Sequence, residues 1–317
     1  MIKTLSKPWP WNAIPDATPA DWGLGMTVCV AGCSNNDAVV CVTDMMVAMT
    51  DLSMSADAVA LKMKTIGERW VCMQAGDVAA WPDVLGRARE EADKRGLDWH
   101  KLSRSALTDV FRVAFHEVAI ERAEARILAP FDLNRHNYRD EGPKLGQEMY
   151  TRLLISLEES KLGLKLLIAG FGGKSAHVLS ISDDGISDHY SSVGVWAIGS
   201  GETAALGYLF SHQINFLKDL PSMLYALCCA KFSAETSPGV GKKTVGVILY
   251  ANGDRCLFVD PNIEWIRNDW ERARKIGLPK KKHEKVEGIL AEIVITPHKP
   301  EQEPKPPSTA QTSEGQQ

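Results

Sequence analysis

Residue types that could form one catalytic centre occur in order along the early part of the chain. Thr27 opens an apolar run, Asp44 ends the next apolar run, and Lys62 precedes a third, which leads into the turn Ala75-Gly76. A carboxylate at the end of an apolar strand needs a partner. The nearest cations downstream that precede another strand are Lys62 and Lys64. A threonine, an acid, a lysine and a backbone turn in this order suggest one active centre.

The first two of these groups lie on a predicted β-hairpin. The runs 27–31 and 38–43 are apolar, and an Asn/Asp/Ser cluster at 34–37 joins them through a short loop. Both runs are almost continuously apolar, so both faces of their sheet are expected to be buried. Later strands are predicted at 164–170, 176–181, 187–193, 195–198, 244–250, 255–259 and 291–295.

Helical patterns occur between these groups of strands. Apolar spacing and end signals predict helices at 81–95, 102–127, 145–157, 203–216, 220–232 and 263–276. Strands alternating with paired helices fit two stacked antiparallel sheets with helices outside. The predicted fold class is therefore α+β, a four-layer αββα sandwich. No phosphate loop or dinucleotide fingerprint supports the alternative, a doubly wound βαβ fold.

Composition suggests the domain boundaries. Residues 1–26 are rich in Pro and Trp and show no periodicity, so we predict a leader or propeptide-like arm. Residues 27–296 are predicted to form a single domain with a helical insertion at about 128–160. The tail at 297–317 is rich in Pro, Glu, Gln and Ser and is expected to be disordered.

Charge and cysteine usage exclude several function classes. The net charge of −4 gives no general case for nucleic-acid binding. No apolar run is long enough for a transmembrane helix, and the N-terminus lacks the apolar core of a secretory signal, so no membrane partner is expected. The seven cysteines lie mostly in apolar strands or a helix, as in reduced cytoplasmic proteins. No Cys or His spacing indicates a metal site, and no cofactor is expected.

The ordered set of motifs resembles the proteasome-type N-terminal-nucleophile (Ntn) hydrolases. The segment 37–44 looks like that family's second strand and its acidic residue, and residues 26–31 are similar to the Anbu type of bacterial proteasome homologue. The Gly-Ser-Gly turn at 199–201 resembles the turn next to the family's nucleophile. The resemblance covers roughly residues 26–260, apart from the connection around 128–147.

The resemblance implies a role for each early residue. Thr27 would be the nucleophile and its own free α-amine the base, since an amine pKa of about 8 suits neutral pH. Lys62 matches the family's catalytic lysine, and its charge would favour the alkoxide and lower the pKa of the amine. Asp44 would pair with Lys62 and hold it in place. Gly76 would offer its backbone N–H to the developing oxyanion.

Later residues complete the implied site. Ser200 matches the serine that hydrogen-bonds the terminal amine. Glu235 is placed on the family's aspartate, and either Ser237 or Pro238 on the serine that follows it. Three features depart from the family pattern. Twenty-six residues precede Thr27, with Met26 where the family has a glycine. Met46 stands where an arginine is usual, and Pro238 has no backbone N–H to donate.

The implied protein is a cytoplasmic threonine-type peptidase or amidohydrolase that acts on peptides or unfolded chains. The family also implies a homo-oligomer, a ring or spiral, while any regulatory ATPase stays unknown. A free amine requires autolytic removal of the leader, or translation that begins at Met26. The Met-rich segment 45–54 would favour apolar substrates if it lines the specificity pocket.

Two other functions fit the same residues. One is a catalytically inactive structural or scaffold subunit in which Thr27 stays internal, and the other is an Ntn hydrolase of small amides. Taken singly, a threonine that opens a strand is a common β-former, and Asp44 with Lys62 could be a structural ion pair.

Overall fold

The structure, a computed structural model, describes residues 27–49, 54–56, 61–183 and 185–276, with residues 288, 291, 295 and 296. The predicted leader at 1–26 and tail at 297–317 lie outside the described residues. Among the described helices, none is long and apolar enough to cross a membrane.

The described strands and helices follow the predicted order. The strands are β1 (Cys29–Ser34), β2 (Ala38–Asp44), β3 (Val47–Met49), β4 (Met54–Ala56), β5 (Met63–Ile66), β6 (Trp70–Gly76), β7 (Leu164–Gly172), β8 (Ser175–Ile181), β9 (Ser187–His189), β10 (Val195–Ile198), β11 (Thr244–Tyr250), β12 (Arg255–Val259) and β13 (Ile295–Thr296). The α-helices are α1 (Ala80–Lys94), α2 (Arg104–Ala123), α3 (Tyr138–Glu141), α4 (Gln147–Glu159), α5 (Glu202–Ser211), α6 (Leu220–Ala234) and α7 (Asp260–Ile276).

Two antiparallel sheets form the centre of the described chain. One sheet has six strands in the order β10-β1-β2-β11-β12-β13, and the other has five in the order β5-β6-β7-β8-β9. The predicted β1–β2 hairpin is confirmed, and its turn contains Asn35 and Asn36 with φ of 46° and 61°. Its register pairs Cys29 with Thr43, so the start of β1 lies beside Asp44 at the end of β2.

Side chains alternate between the two faces of each sheet. In β1, Cys29 and Ala31 face a core shared by both sheets, whereas Val30 packs toward α5, α6 and α7. In β6, Met73 faces the shared core and Cys72 packs toward α1 and α2. Because both sheets are covered by helices on their outer faces, the layers are helix, sheet, sheet and helix. The predicted αββα class is confirmed.

Two predicted elements extend too far. The strand predicted at 187–193 ends at His189, because the chain turns at once through a bond from Val193 N to Tyr190 O. The helix predicted at 203–216 ends at Ser211, because Gln213 adopts a left-handed φ of 54°.

The strand predicted at 291–295 is also wrong in part, because only its last residue lies in β13 and residue 291 is helical. In the Met-rich segment 45–54 and just after it, β3 pairs with β4 in antiparallel register, and the specificity role of the segment stays a prediction. Between α2 and α4, Leu128, Leu133 and Leu153 form a small apolar cluster separate from the sandwich cores.

Candidate active site

Thr27, Asp44 and Lys62 are in direct contact. The Thr27 hydroxyl donates to Asp44 Oδ1 at 2.5 Å, and Lys62 Nζ donates to Thr27 Oγ1. Lys62 Nζ also lies 3.1 Å from Oδ1 and 3.0 Å from Oδ2 of Asp44. The exposed fractions are 2% for Thr27, 0% for Asp44 and 3% for Lys62. The hydroxyl therefore lies between a carboxylate and an ammonium that can stabilise negative charge on its oxygen.

Backbone amides hold the Asp44 carboxylate from three parts of the chain. Val28 N donates to Oδ1 at 2.9 Å, while Met46 N at 2.9 Å and Gly241 N at 3.2 Å donate to Oδ2. A buried carboxylate is tolerated only when its oxygens are bonded in this way. Met46 thus contributes through its backbone, whatever its side chain.

Strand β6 connects Lys62 to the start of β1. Gln74 N donates to Lys62 O at 3.0 Å, and the Cys29 thiol donates to Gln74 O at 3.3 Å. These hydrogen bonds hold Lys62 beside β1 of the six-stranded sheet, although Lys62 directly precedes β5 of the five-stranded sheet. Lys64, the other lysine considered from sequence, is exposed on β5.

Ser200 lies on the other side of Thr27. Thr27 N donates to Ser200 Oγ at 3.2 Å, and Ser200 Oγ lies 3.0 Å from Pro238 O. Gly201 N donates to Thr27 O at 3.1 Å. Gly199 has a φ of +100°, and a Cβ there would lie 2.3 Å from Thr27 O. Only glycine allows the turn to approach Thr27 so closely.

Gly76 ends β6 in a conformation that also requires glycine. Its φ is +104°, and a Cβ there would lie 1.8 Å from Gly163 O. Backbone geometry alone therefore accounts for the residue type. Its role as the oxyanion donor stays a prediction.

The last predicted residues lie at and after the end of α6. Glu235 Oε1 accepts from Lys231 Nζ at 2.7 Å, and Arg267 donates to both carboxylate oxygens at 2.8 Å. Its described contacts are thus with α6 and α7 and not with Thr27. Of the two alternatives Ser237 and Pro238, the residue that contacts Ser200 is Pro238, through its carbonyl oxygen.

Sequence reasoning missed Lys231, Arg267 and Gly241. Lys231 is 0% exposed, within a helix whose neighbouring side chains are nearly all apolar. Burial lowers the pKa of Lys231, and the nearby Glu235 carboxylate opposes that shift. A lysine inside a continuous apolar run is itself a signal that a buried partner exists. Gly241 carries no comparable signal, because it acts through its backbone.

Cys29 is the thiol at this site. Burial raises its pKa to about 12, although a hydrogen bond with Thr43 acts in the opposite direction. The thiol therefore stays protonated at neutral pH and is a poor nucleophile. Among the residues that the structure describes, no group of His, Cys, Asp and Glu could hold a metal ion.

The solved structures that share this architecture include two Anbu proteins. They are Anbu (ancestral beta-subunit) from Yersinia bercovieri, with 14% identity and a TM-score of 0.56, and an Anbu (Gly-1) mutant from Hyphomicrobium sp. strain MC1, with 15% identity and a TM-score of 0.55. Each comparison covers 81% of this chain and 99% of the other. No protein-family model and no curated protein sequence matches the chain. The chain therefore has the proteasome-subunit-like αββα fold that the two Anbu structures have.

Proposed function

We propose that the protein is a threonine-type Ntn peptidase whose nucleophile is Thr27. The observation that carries the proposal is the contact of one buried hydroxyl with both Lys62 and Asp44. The nitrogen of the same residue points to Ser200. A hydroxyl, a cation and the nucleophile's own nitrogen are the groups that Ntn chemistry needs.

The proposed reaction begins when the free α-amine of Thr27 takes the hydroxyl proton. Oγ1 attacks the carbonyl carbon of the scissile amide, and the Lys62 ammonium stabilises the charge on Oγ1 as it forms. The tetrahedral oxyanion would accept a hydrogen bond from Gly76 N. The amine then gives its proton to the leaving nitrogen, and the C–N bond breaks to leave an ester on Thr27. Water, deprotonated by the same amine, hydrolyses the ester and restores the hydroxyl.

This chemistry requires that Thr27 carry a free amine. Residues 1–26 precede it in the sequence, so its nitrogen is otherwise an amide without basicity. We propose that the amine is released by autolysis at the Met26–Thr27 bond, or that translation begins at Met26 and Met26 is then removed.

The substrate and assembly are proposed on the same basis. The resemblance of the sequence motifs to the proteasome-type family supports a homo-oligomer, a ring or spiral, that acts on peptides or unfolded chains, and the similar Yersinia bercovieri structure is described as an ancestral beta-subunit. A scaffold subunit with the same fold is the second candidate, because Thr27 joined to Met26 has no base of its own. Cleavage of small amides is the remaining alternative for the same nucleophile.

The test combines N-terminal sequencing with a hydrolysis assay. Protein purified from its native host is expected to begin at Thr27 and to hydrolyse unstructured peptides. Thr27→Ala is expected to lose activity by on the order of 10³-fold, whereas Thr27→Ser keeps most of it. Thr151→Ala makes the same chemical change on exposed α4, where the described hydrogen bonds of the hydroxyl are local, to the carbonyl oxygen and the side-chain amide of Gln147, and should keep full activity.

Two results would reject parts of the proposal. Full activity in Thr27→Ala would exclude Thr27 as the nucleophile. A native chain that retains residues before Thr27 and hydrolyses no peptide or small amide would instead support the scaffold function.

A further inference from the structure

We propose that Lys231, together with Glu235 and Arg267, positions the candidate active site by fixing the loop 236–243 between α6 and β11. This inference rests on the proposed function for its meaning in catalysis. The three side chains are called the α6–α7 ion cluster below.

Every proton of the Lys231 ammonium has a described acceptor. Nζ donates to Glu235 Oε1 at 2.7 Å and to the carbonyl oxygens of Gly241 and Lys242, both at 2.9 Å. An ammonium has three donors, so the group is saturated by one carboxylate and two loop carbonyls. Lys231 on α6 therefore binds the loop directly.

Arg267 holds the same loop from α7. It donates to both oxygens of Glu235 and, at 2.8 Å, to Lys242 O. Its guanidinium carbon lies over the ring of Phe232, 4.1 Å from the ring centre, in the range of a cation–π contact. Two cations on different helices thus converge on one carbonyl oxygen.

The loop in turn contacts Asp44 and Ser200, the two residues that contact Thr27 from opposite sides. Gly241 accepts from Lys231 with its carbonyl and donates from its N–H to Asp44 Oδ2 at 3.2 Å. Pro238 O lies 3.0 Å from Ser200 Oγ. A single residue, Gly241, therefore separates the buried ammonium from the acid that contacts the nucleophile.

Stability is a weak explanation for this cluster. A buried ion pair often contributes no more than well-packed apolar side chains of similar volume, because its desolvation offsets its attraction. Methionine has nearly the shape of lysine and would suit the apolar surroundings of α6. Methionine cannot donate hydrogen bonds to the carbonyl oxygens of Gly241 and Lys242. In our proposal these two bonds fix the direction in which the Gly241 N–H points.

The test compares Lys231→Met with Tyr225→Phe in the full-length protein. Tyr225→Phe is the matched control, because it removes a bond between α6 and α7, from the hydroxyl to Asp269 at 2.9 Å, without contact to the loop. Hydrogen–deuterium exchange at the Gly241 amide and the steady-state constants for peptide hydrolysis are measured for both.

Lys231→Met should accelerate hydrogen exchange at the Gly241 amide by about tenfold relative to the amides of helices α6 and α7. It should also lower kcat by about tenfold while KM changes by less than about threefold, since the loop acts on the reacting groups. Tyr225→Phe should leave both measurements within about twofold. If Lys231→Met does not fold, Arg267→Gln should shift both readouts in the same direction by smaller factors.

The outcomes separate the two proposals. An unchanged Gly241 exchange rate and kcat in a folded Lys231→Met protein would overturn the positioning role, as would equal acceleration throughout α6. If the wild-type protein hydrolyses nothing, the proposed function fails, and Gly241 exchange alone still decides whether Lys231 fixes the loop.

Discussion

Lys62 and Asp44 form a buried ion pair, with side-chain exposures of 4% and 0%. Removing one partner of such a pair leaves an uncompensated charge in the interior, whereas removing both charges can restore stability. Stability and catalysis can therefore be separated at this pair, because only catalysis needs the ammonium beside Thr27.

Lys62→Met is expected to lower the free energy of unfolding by about 3 kcal/mol and to abolish hydrolysis. The double variant Asp44→Asn/Lys62→Met should recover part of that stability and none of the activity. Urea unfolding and peptide hydrolysis measure the two effects. Lys64→Met, two residues away and exposed, is the control and should change stability by less than about 0.5 kcal/mol. A double variant no more stable than Lys62→Met would contradict the charge pairing.

The Cys29 thiol is expected to be unreactive in the folded protein. Its pKa of about 12 keeps it protonated at pH 7 to 8, and the seven free cysteines are all buried. Iodoacetamide should therefore leave activity unchanged in native conditions and alkylate every cysteine after denaturation, as measured by intact mass. Rapid inactivation with modification of Cys29 would point to a thiol nucleophile instead.

At the level of single residues, most of the candidate site could be predicted from where polar residues stand relative to the apolar strands. Thr27, Asp44 and Lys62 stand where apolar strand patterns begin or end, so their polarity is visible in the sequence. Gly241 could not be predicted from the sequence, because it binds Asp44 through a backbone N–H from 197 positions away and has no side chain that would indicate this role. Glu235 was placed by family resemblance, and its partners on α6 and α7 could be seen only after folding.

Among the structural elements, the turn that approaches Thr27 depends on one glycine. Gly199→Ala is expected to lower stability by more than the roughly 1–2 kcal/mol of left-handed backbone strain, because its Cβ would also displace Thr27. Gly173→Ala is a matched control: φ is +73° and no atom lies within 4 Å of the added Cβ. Activity should be lost in Gly199→Ala and kept in Gly173→Ala, with stability measured by urea unfolding. Equal losses of stability would show that the contact with Thr27 is not important.

Element types were easier to predict than element ends. Helices α1 and α2 have apolar residues at helical spacing, whereas the β1–β2 hairpin and α6 are almost continuously apolar, and tertiary packing agrees with both patterns. The end of α5 was not predicted because Gln213 adopts the left-handed conformation after the helix. A glycine or asparagine at that position would have indicated the helix end in the sequence. Strand β9 was predicted too long because the turn that follows it, closed by a hydrogen bond from Val193 N to Tyr190 O, contains no glycine or proline before Gly194.

For the whole molecule, the apolar cluster beside α4 offers a test of domain organisation. Leu153→Ala is expected to lower global stability by less than about 1 kcal/mol, because its packing lies in a satellite cluster that can open locally. Leu107→Ala, in the core between α2 and its sheet, should cost about 3 kcal/mol. Urea unfolding compares the two variants directly. Equal costs would show that the predicted insertion unfolds together with the sandwich.

The layer order was predictable because strands and helix pairs alternate along the chain. The pairing of β2 with β11 was not, since it joins segments about two hundred positions apart and no local signal encodes it.

Long-range contacts of this kind also determine when, during synthesis of the chain, the candidate active site can form. Thr27 contacts Ser200 across 173 positions, and Asp44 contacts Gly241 across 197. Contacts closing such long loops form late, and a nascent chain that has not emerged past Gly241 lacks one donor to its acid. If the proposed autolysis releases the amine of Thr27, cleavage is a checkpoint. Complete, correctly folded chains then gain their base, and truncated or misfolded ones keep their leader and stay inert.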